Sequence, residues 1–567
     1  MKINKNYAKA SIFIAVYLFA IYIWTLPFQD ANVPYGEWDA ISHWELADFI
    51  AQRDQTFSTL PKFLDYSYGN DNQFKPHTLW YHPPFHVDMA IISAFANDRM
   101  IPIFLTNAIF ASSILISVFF VINRLFGFLP GILSAFMLIF SMRDILPYLW
   151  GQWPERFAYA FIPLILYCFY MYFTNYSNEN RNPAYLYIMA ILLGANLYIH
   201  PLVMFHSIIG IFVLVIILAI KQRKFPLNLK HIGISFFIFL IMAAVFPLQT
   251  GNVILSFAKS STDEDKKYAP ISTLLRLGPD PDNFVGSVPR MYFSFEKMIG
   301  YWGFLDENTI NEVNTDSNLF KKIKVNFTNL IFISFLLGII VTLYRRGAND
   351  LFLLAWLISF YLIMHRDIIG ISTFLHRSFS AAAHIIIPIA VIGALQIYTI
   401  LKIPEKLKQT LKYISAAAII ILTLKFNMPT AYATLDNAYD SPLLRINGAQ
   451  VEASEWLKAN IDENANVSVI GPFPDIMQKA WWMASYSHRT SFFFEGFILW
   501  PSPGENANET AKYHILNDYV LFDYTDIGLL SGRSLVDKWL NFEKLNMENH
   551  KLLYNKDNIR VYKYEAS

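Results

Sequence analysis

Cysteine and charge are both scarce in this chain of 567 residues. The single cysteine, Cys168, lies in an apolar run, so no disulfide framework can form within the chain. Charged residues make up 16% of the sequence, against about 25% in soluble proteins. The formal net charge is only +1 at pH 7, which gives no indication of nucleic-acid binding. The sequence also shows no internal repeat and no low-complexity tract.

Apolar residues are abundant instead, at 54% of the chain, and the mean hydropathy is +0.33. A helix that crosses a membrane needs about 20 predominantly apolar residues. About eleven segments approach that length: residues 11–28, 101–123, 128–142, 157–174, 184–199, 202–220, 231–247, 327–344, 350–364, 379–400 and 411–427. The first resembles a signal peptide, but its apolar run is too long and no small-residue cleavage site follows. The sequence therefore predicts an α-helical polytopic membrane protein with about eleven transmembrane helices.

Lysine and arginine residues alternate along the chain in a way that predicts its orientation. If the N-terminus is inside, the inner segments hold Lys2–Lys9, Arg124, Arg181, Lys221–Lys230, Arg345–Arg346 and Lys402–Lys412. The positive-inside rule then places three large polar regions outside the plasma (or inner) membrane. We expect a membrane domain over residues 1–427, with outer loops at 29–100 and 248–326, and an extracytoplasmic soluble domain over residues 428–567.

The stretch Gly36–Trp44 opens the first outer loop and carries two carboxylates, Glu37 and Asp39, with His43 four residues after Asp39. In a helix over residues 40–52, Asp39 and His43 share a face. The polar residues of that helix would form a stripe of Ser42, Glu45, Asp48 and Gln52. This pattern predicts a helix that lies in the membrane interface. A simpler interpretation is that Asp39 only caps the N-terminus of the helix.

Histidines are concentrated later in the same loop, where His77, His82 and His86 flank Pro83-Pro84. The two prolines predict extended backbone, and hence a loop, around these histidines. Histidine with carboxylate is a metal-binding combination, so Asp39 and His43 are candidate ligands of a divalent metal. The spacing matches no compact metal motif, and histidines packed among interfacial aromatic residues are the alternative. No cofactor is required by any motif.

Further ionisable residues lie on the predicted short outer loops. Arg156 either pairs with Glu155 or Asp144, or holds an anionic headgroup through its guanidinium group. His200 is predicted near the outer surface, and His206 is predicted to be a hydrogen-bonded packing residue. The last short outer loop carries Arg366, His376 and Arg377 on the side that the positive-inside rule depletes of positive charge.

The region after residue 428 has the pattern of a soluble α/β domain. Residues 451–460 predict a helix, and residues 467–470, 519–522 and 560–564 predict strands. Aromatic residues are dense over 481–500. They either stack on sugars, or pack a small core or dock onto the membrane part.

Three short motifs resemble a known group of membrane proteins: Trp38-Asp39-Ala40…His43, Tyr81-His82-Pro83-Pro84 and Gly151-Gln152-Trp153-Pro154-Glu155-Arg156-Phe157. With one span before an acidic outer loop, many further spans and an outer α/β domain, the chain resembles the GT-C superfamily of membrane glycosyltransferases. Within it, the motifs resemble the branch known as 6-pyruvoyl-tetrahydropterin-synthase-related membrane proteins, although nothing in the chain looks like a pterin enzyme.

The resemblance implies an inverting transfer of a hexose or pentose from a polyprenyl-phosphate carrier to a lipid, glycan or protein acceptor. It implies that Asp39, with Glu37 as partner, is the catalytic base. Residues implied in donor or phosphate binding are Arg156, Arg377, Arg366, His43 and His200, and candidate substrate contacts are His82, His86, Glu155 and His376. The acidic pair here is Glu-Trp-Asp, whereas the superfamily has Asp-Asp, which leaves both carboxylates as candidate bases.

Two other classes of function remain open from the sequence. A non-catalytic protein of cell-envelope polysaccharide assembly would use the C-terminal domain for binding and would not need Asp39. A transporter of lipid-linked sugars is expected to carry polar residues in the middle of its spans. The charged residues here gather on outer loops, which favours an enzyme over a transporter.

Overall fold

The structure is a computed structural model, and it describes residues 5–29, 33, 36, 38–53, 83–96, 98–176, 182–223, 227–245, 319–364, 380–401, 403–436, 446–462, 465–471, 476–488, 491–494, 517–525 and 533–565. Five of the predicted site residues lie outside these ranges: Glu37, His82, Arg366, His376 and Arg377. Most of the predicted loop 248–326 also lies outside them.

The chain divides into two compact units. The first unit comprises Met1–Leu26, Asn107–Tyr148 and Gln152–Leu435. The second comprises Pro27–Thr106, Leu149–Gly151 and Asp436–Ser567. The residues of the first outer loop are therefore grouped with the C-terminal region.

Helices dominate both units. The helices before residue 250 are α1 (Lys5–Trp24), α2 (Trp38–Arg53), α3 (Pro83–Ala94), α4 (Ile101–Phe126), α5 (Phe128–Leu138), α6 (Met142–Leu149), α7 (Trp153–Tyr159), α8 (Phe161–Tyr176), α9 (Ala184–Ile199), α10 (Pro201–Gln222) and α11 (Leu229–Ala243). Those after residue 318 are α12 (Leu319–Arg345), α13 (Ala348–Met364), α14 (Ser380–Gln396), α15 (Glu405–Leu422), α16 (Met428–Asp436), α17 (Gly448–Asn460), α18 (Ile476–Ser487) and α19 (Arg533–Asn546).

The predicted multi-spanning helical protein is confirmed. Among the described residues, 6 helices are long and apolar enough to cross a membrane: Asn6–Trp24, Ile101–Phe126, Trp153–Asn175, Pro201–Gln222, Ala381–Thr399 and Glu405–Asp436. The pair α5 and α6, bent by 42° at its break, would add a seventh. The other predicted spans coincide with shorter apolar helices: Ala184–Ile199, Leu229–Ala243, Leu330–Arg345 and Ala348–Ile363. The chain is a multi-pass membrane protein.

Helices α12 and α14 approach each other at two glycines, one on each helix. A Cβ atom at Gly338 would lie 2.1 Å from the backbone oxygen of Ile389, and one at Gly393 would lie 2.0 Å from the backbone oxygen of Ser334. Small residues at such a crossing let two backbones meet, which is how helices in a membrane gain van der Waals contact. This close packing fixes the position of α14, which carries His384.

The C-terminal region forms the predicted α/β domain. Its strands are β1 (Asn466–Ile470), β2 (Ser491–Phe494), β3 (Tyr519–Asp523), β4 (His550–Lys556) and β5 (Ile559–Tyr564). They form one sheet in the order β2-β1-β3-β5-β4, in which β1 pairs in parallel with β2 and β3, and β5 pairs antiparallel with β3 and β4.

Alternation of side chains along the strands gives this sheet two buried faces. Val467, Val469 and Leu521 pack into one hydrophobic cluster with residues of α17 and α18. Val520 and Phe522 pack into the other cluster with residues of α19. Of the aromatic residues over 481–500, Trp481, Trp482 and Tyr486 lie on α18 and are buried, as the packing interpretation predicts.

Candidate active site

Asp39 lies in the first turn of α2, close behind the first span. It is half-buried and is the second residue of the helix. An N-cap residue precedes the helix and has non-helical backbone, so the position of Asp39 does not match that of a cap. A carboxylate in the first turn also interacts favourably with the partial positive charge of the helix N-terminus.

Two glycines enclose this first turn. Gly36 and Gly151 have φ angles of +111° and +86°, a region that L side chains rarely adopt. A Cβ atom at Gly151 would lie 1.9 Å from the backbone nitrogen of Ala40, and one at Gly36 would lie 2.4 Å from the Cβ of Ala40. The backbone next to Asp39 is therefore held tightly on two sides within the second unit.

The polar stripe predicted for α2 is buried in the protein, and the position of the helix in a membrane interface stays a prediction. The predicted polar residues Ser42, Glu45 and Asp48 are at most 1% exposed, and so are Ile41 and Trp44 on the apolar side. The physical reason is that α3 and α18 pack against α2, so both of its sides are covered. Two buried polar side chains of α2, His43 and Asp48, have hydrogen-bond partners from distant parts of the chain.

His43 and His86 are two such partners. The Nδ1 of His43 lies 2.9 Å from the Nε2 of His86, both side chains are buried, and the rings stack. The prediction of a loop around this histidine is wrong for His86, which lies in α3. Proline is favoured in the first turn of a helix, where its missing N–H has no partner to lose, so Pro83-Pro84 begin the helix here.

A hydrogen bond between two imidazoles needs a donor nitrogen on one ring and an acceptor nitrogen on the other, so at least one of them is neutral. Within the described part of the chain, no group of three or more histidine, cysteine, aspartate or glutamate residues is placed to hold a metal ion. The predicted metal ligands Asp39 and His43 therefore remain a prediction.

A buried ionic network lies at the other end of α2. Arg99 donates two hydrogen bonds to Asp48, Nε to Oδ1 at 3.0 Å and Nη2 to Oδ2 at 2.7 Å. The Nε2 of His488 lies 2.8 Å from the same Oδ2. Arg99 also pairs with Glu455 at 2.7 Å and lies 4.1 Å over the ring of Tyr486. The network joins residues separated by 51 and 440 positions in the sequence, so no local pattern could have revealed it.

The pKa values of this network follow from burial and pairing. Burial raises the pKa of Asp48, but hydrogen bonds from His488 and Arg99 outweigh this and hold it below its usual value. Burial lowers the pKa of His488 by more than Asp48 raises it, while the charges of Arg99 and Lys458 lower it further. Burial is also the main cause that raises the pKa of Tyr486 to about 12. The network therefore holds an ionised aspartate and a histidine that resists protonation.

These directions predict that stability falls with decreasing pH. An unfolded chain binds a proton at His488 below about pH 6.5, and at Asp48 below about pH 3.9. The folded chain resists both protons, so its stability is greatest above these values and is lost as the pH falls. We expect the melting temperature in detergent to fall between about pH 7.5 and 5.5, with a shallower fall in His488→Gln. The melting temperatures are measured by tryptophan fluorescence. An equal dependence of melting temperature on pH in the wild type and in His488→Gln would contradict this prediction.

Arg156 lies on α7 in the first unit and is 2% exposed. Its Nη1 donates to Asp144 Oδ1 at 2.7 Å and to the backbone oxygen of Asp144, and its guanidinium lies 4.5 Å over the ring of Trp24. The Nε2 of His384 lies 2.7 Å from the same Oδ1. Of the predicted alternatives for Arg156, the structure shows the pairing with Asp144.

Glu155 and His200 lie in the same unit. Tyr159 donates a hydrogen bond to Glu155 Oε1 at 2.7 Å, and His200 Nε2 lies 3.9 Å from Glu155 Oε2. His200 is partly exposed, whereas His206 is buried with its ring near those of Tyr159 and Phe360. The structure thus brings Glu155 and His200 together. It confirms the packing part of the prediction for His206, whose ring lies among aromatic rings.

No family model matches the sequence, and no curated protein matches it either. Solved structures do match. Archaeal oligosaccharyltransferase AglB from Archaeoglobus fulgidus, in complex with an inhibitory peptide and a dolichol-phosphate, is 13% identical with a TM-score of 0.54, over 99% of this chain and 74% of that one. ArnT from Cupriavidus metallidurans in the apo state is 9% identical with a TM-score of 0.54, over 99% of this chain and 98% of that one. Both are GT-C glycosyltransferases.

The chain has the GT-C fold. The GT-C likeness extends over both units, because nearly all of the chain is covered in each comparison. A third structure, the Archaeoglobus fulgidus oligosaccharyltransferase in complex with Zn and sulfate, is 13% identical with a TM-score of 0.52 over 97% of this chain and 73% of that one. A divalent metal is therefore compatible with this fold.

Proposed function

We propose that the chain is an inverting glycosyltransferase that moves a hexose or pentose from a polyprenyl-phosphate-linked donor to a hydroxyl acceptor. The observation that carries the proposal is the GT-C fold over nearly the whole chain, with the half-buried carboxylate of Asp39 in the first turn of the helix after the first span. The bound dolichol-phosphate of one similar structure, and the acceptor peptide tethered in another, support a lipid-linked donor and a separate acceptor.

The chemistry assigned to Asp39 is general-base catalysis. In its ionised form it would accept the proton of the acceptor hydroxyl, while the hydroxyl oxygen forms a bond to the anomeric carbon of the sugar. The bond between that carbon and the carrier phosphate breaks, and polyprenyl phosphate leaves with the electron pair. One displacement of this kind inverts the configuration at the anomeric carbon. Glu37 remains the alternative base.

Cations are needed to stabilise the departing phosphate. Arg156 would have to exchange Asp144 for that phosphate, and its burial beside Trp24 favours a positioning role in the helix bundle. Donor binding by Arg366 and Arg377 stays a prediction from the sequence. His43, His82, His86 and His376, and the pair Glu155 and His200, are kept as candidate donor or substrate contacts.

A transporter of lipid-linked sugars is the second candidate. The bent pair α5 and α6 and the buried cluster of Asp144, Arg156 and His384 favour it, because broken helices and ionisable groups inside the membrane unit are typical of transporters. A transporter would carry the donor across the membrane without breaking the bond between sugar and phosphate. A non-catalytic assembly protein would do neither.

Sealed vesicles of known orientation separate these functions and test the proposed extracytoplasmic site. The purified protein is reconstituted with radiolabelled lipid-linked sugars and an envelope extract from its own organism as acceptor. We expect label to leave the donor lipid, and externally added protease to remove the C-terminal domain and stop transfer only in right-side-out vesicles. Label that changes leaflet while still on its carrier would favour the transporter. Label that neither changes leaflet nor leaves the donor lipid would contradict both the glycosyltransferase and the transporter. Protease sensitivity only in inverted vesicles would contradict the extracytoplasmic position of the C-terminal domain.

A further inference from the structure

The C-terminal domain contacts α2 at both ends of that helix, within the second unit. At the start, the indole Nε1 of Trp482 donates a hydrogen bond to the backbone oxygen of Gly36 at 3.2 Å. Further along, the rings of Trp44 and Tyr486 stack at 5.5 Å with an angle of 7° between them. These contacts follow the same order along both segments, so the C-terminal part of α18 and His488 after it lie beside α2.

The last contact is a hydrogen bond to a buried carboxylate. His488 directly follows α18, and its imidazole reaches Asp48 near the end of α2 at 2.8 Å. Arg99 completes this contact with its two hydrogen bonds to the same carboxylate. Charged hydrogen bonds of this kind demand a specific geometry, and a buried charge that loses its partner is strongly destabilising. The domain is therefore joined to α2 by contacts that fix both distance and register.

Asp39 lies between these fixed points. The oxygen that Trp482 holds belongs to Gly36, three residues before Asp39, and Gly151 closes on Ala40, one residue after it. The opposite end of the same rigid helix is held at Asp48. A catalytic group misplaced by about 1 Å loses about 10²-fold in rate, so a support of this kind bears directly on the chemistry.

We propose that the C-terminal domain takes part in the transfer reaction by fixing α2, and that Trp482 and His488 are positioning residues for Asp39. This inference rests on the proposed function, in which Asp39 is the base. It assigns the domain a role in the chemical step, besides any role in binding the acceptor. It predicts that loosening the domain's hold on α2 lowers kcat with little effect on the KM of donor and acceptor.

The first test is a matched pair of substitutions in one domain. Trp482→Phe keeps an aromatic ring in place but removes the donor to Gly36. Trp539→Phe changes another fully buried tryptophan of the domain, one that packs in the cluster with Val520 and Phe522 and not on α2. We expect Trp482→Phe to lower kcat by about 10-fold or more with unchanged KM, and Trp539→Phe to keep kcat within about twofold. Equal kcat values in the two variants would overturn the proposal.

The second test asks whether Trp482 acts through Asp39. Residues that act as one unit give losses that do not add. The double variant Asp39→Asn/Trp482→Phe should therefore transfer sugar at the rate of Asp39→Asn alone. A direct role of the domain in holding substrate would instead raise KM in Trp482→Phe, and the two losses would multiply. That outcome would overturn the positioning role.

A third measurement does not depend on activity. Amide hydrogen exchange over residues 38–53 should be faster in Trp482→Phe and in His488→Ala than in the wild type, and unchanged in Trp539→Phe. Unaltered exchange would overturn the proposal even if transfer were lost. If the wild type shows no transfer at all, the proposed function is wrong, and the exchange rates still decide whether the domain fixes α2.

Discussion

Asp39→Asn is expected to lower sugar transfer by about 10²–10⁴-fold, because general-base catalysis is worth that much. Asparagine keeps the size of the side chain and one acceptor oxygen, but it cannot take up a proton from the acceptor hydroxyl. The folded yield and the melting temperature should stay near those of the wild type, since Asp39 is only half-buried. The measurement is the rate of transfer from a labelled lipid-linked donor, alongside a melting curve of each protein.

The matched control is Asp88→Asn, which removes an exposed carboxylate from α3 in the same outer loop. It should transfer sugar at the wild-type rate. If Asp39 only caps its helix, Asp39→Asn will change little and Asp39→Ala will lose stability. If Asp39→Asn stays active while Glu37→Gln is inactive, the base is Glu37. Full activity in both variants would show that this loop does not carry the catalytic group.

Asp144→Asn is expected to destabilise the protein by about 3–5 kcal/mol, the usual cost of removing one partner of a buried ion pair. Asp144 accepts hydrogen bonds from Arg156 and faces His384, and all three side chains are buried in the first unit. Asparagine would leave the guanidinium without an anion there. The expected result is a marked fall in melting temperature and in folded yield, measured by tryptophan fluorescence and size-exclusion chromatography in detergent.

Glu452→Gln serves as the control, because it breaks the exposed ion pair between Glu452 and Lys556. Exposed pairs contribute about 0–1 kcal/mol, so this variant should melt close to the wild type. A melting temperature of Asp144→Asn equal to that of Glu452→Gln would contradict the role given to the buried pair. Arg156→Lys separates the two interpretations of Arg156, the pairing with Asp144 and the contact with the carrier phosphate. Weaker use of the donor with an unchanged melting temperature would support the phosphate contact.

The spans could be predicted from sequence because a membrane leaves the backbone few choices. Backbone N–H and C=O groups inside lipid must form their hydrogen bonds within the same segment. Each long apolar run therefore predicts one transmembrane helix. The helix over residues 40–52 and the strands of the C-terminal domain followed from side-chain periodicity in the same way. The start of α3 was missed because Pro83-Pro84 was interpreted through the geometry of the residue before proline, whereas proline is also favoured in a first helical turn.

The contacts of the candidate site could not be predicted, because they depend on which distant residues meet. Ser42 and Asp48 belong to a polar stripe by sequence, but packing against α3 and α18 buries that stripe. Arg156 has two carboxylates at short sequence distance, and only the folded helices show that it pairs with Asp144. Nothing near His488 in the sequence points to Asp48, 440 positions away.

The 440 positions between Asp48 and His488 also determine the order in which the contacts of Asp48 can form during translation. Ribosomes add about 5–20 residues per second, so Asp48 is made roughly 20–90 s before His488. Arg99, only 51 positions after Asp48, emerges within about 3–10 s and can neutralise the carboxylate first. The end of α2 that carries Asp48 is then paired with Arg99 alone until α18 and His488 have been made. The contacts of α2 with the C-terminal domain are therefore completed only late in translation, after His488 has been made.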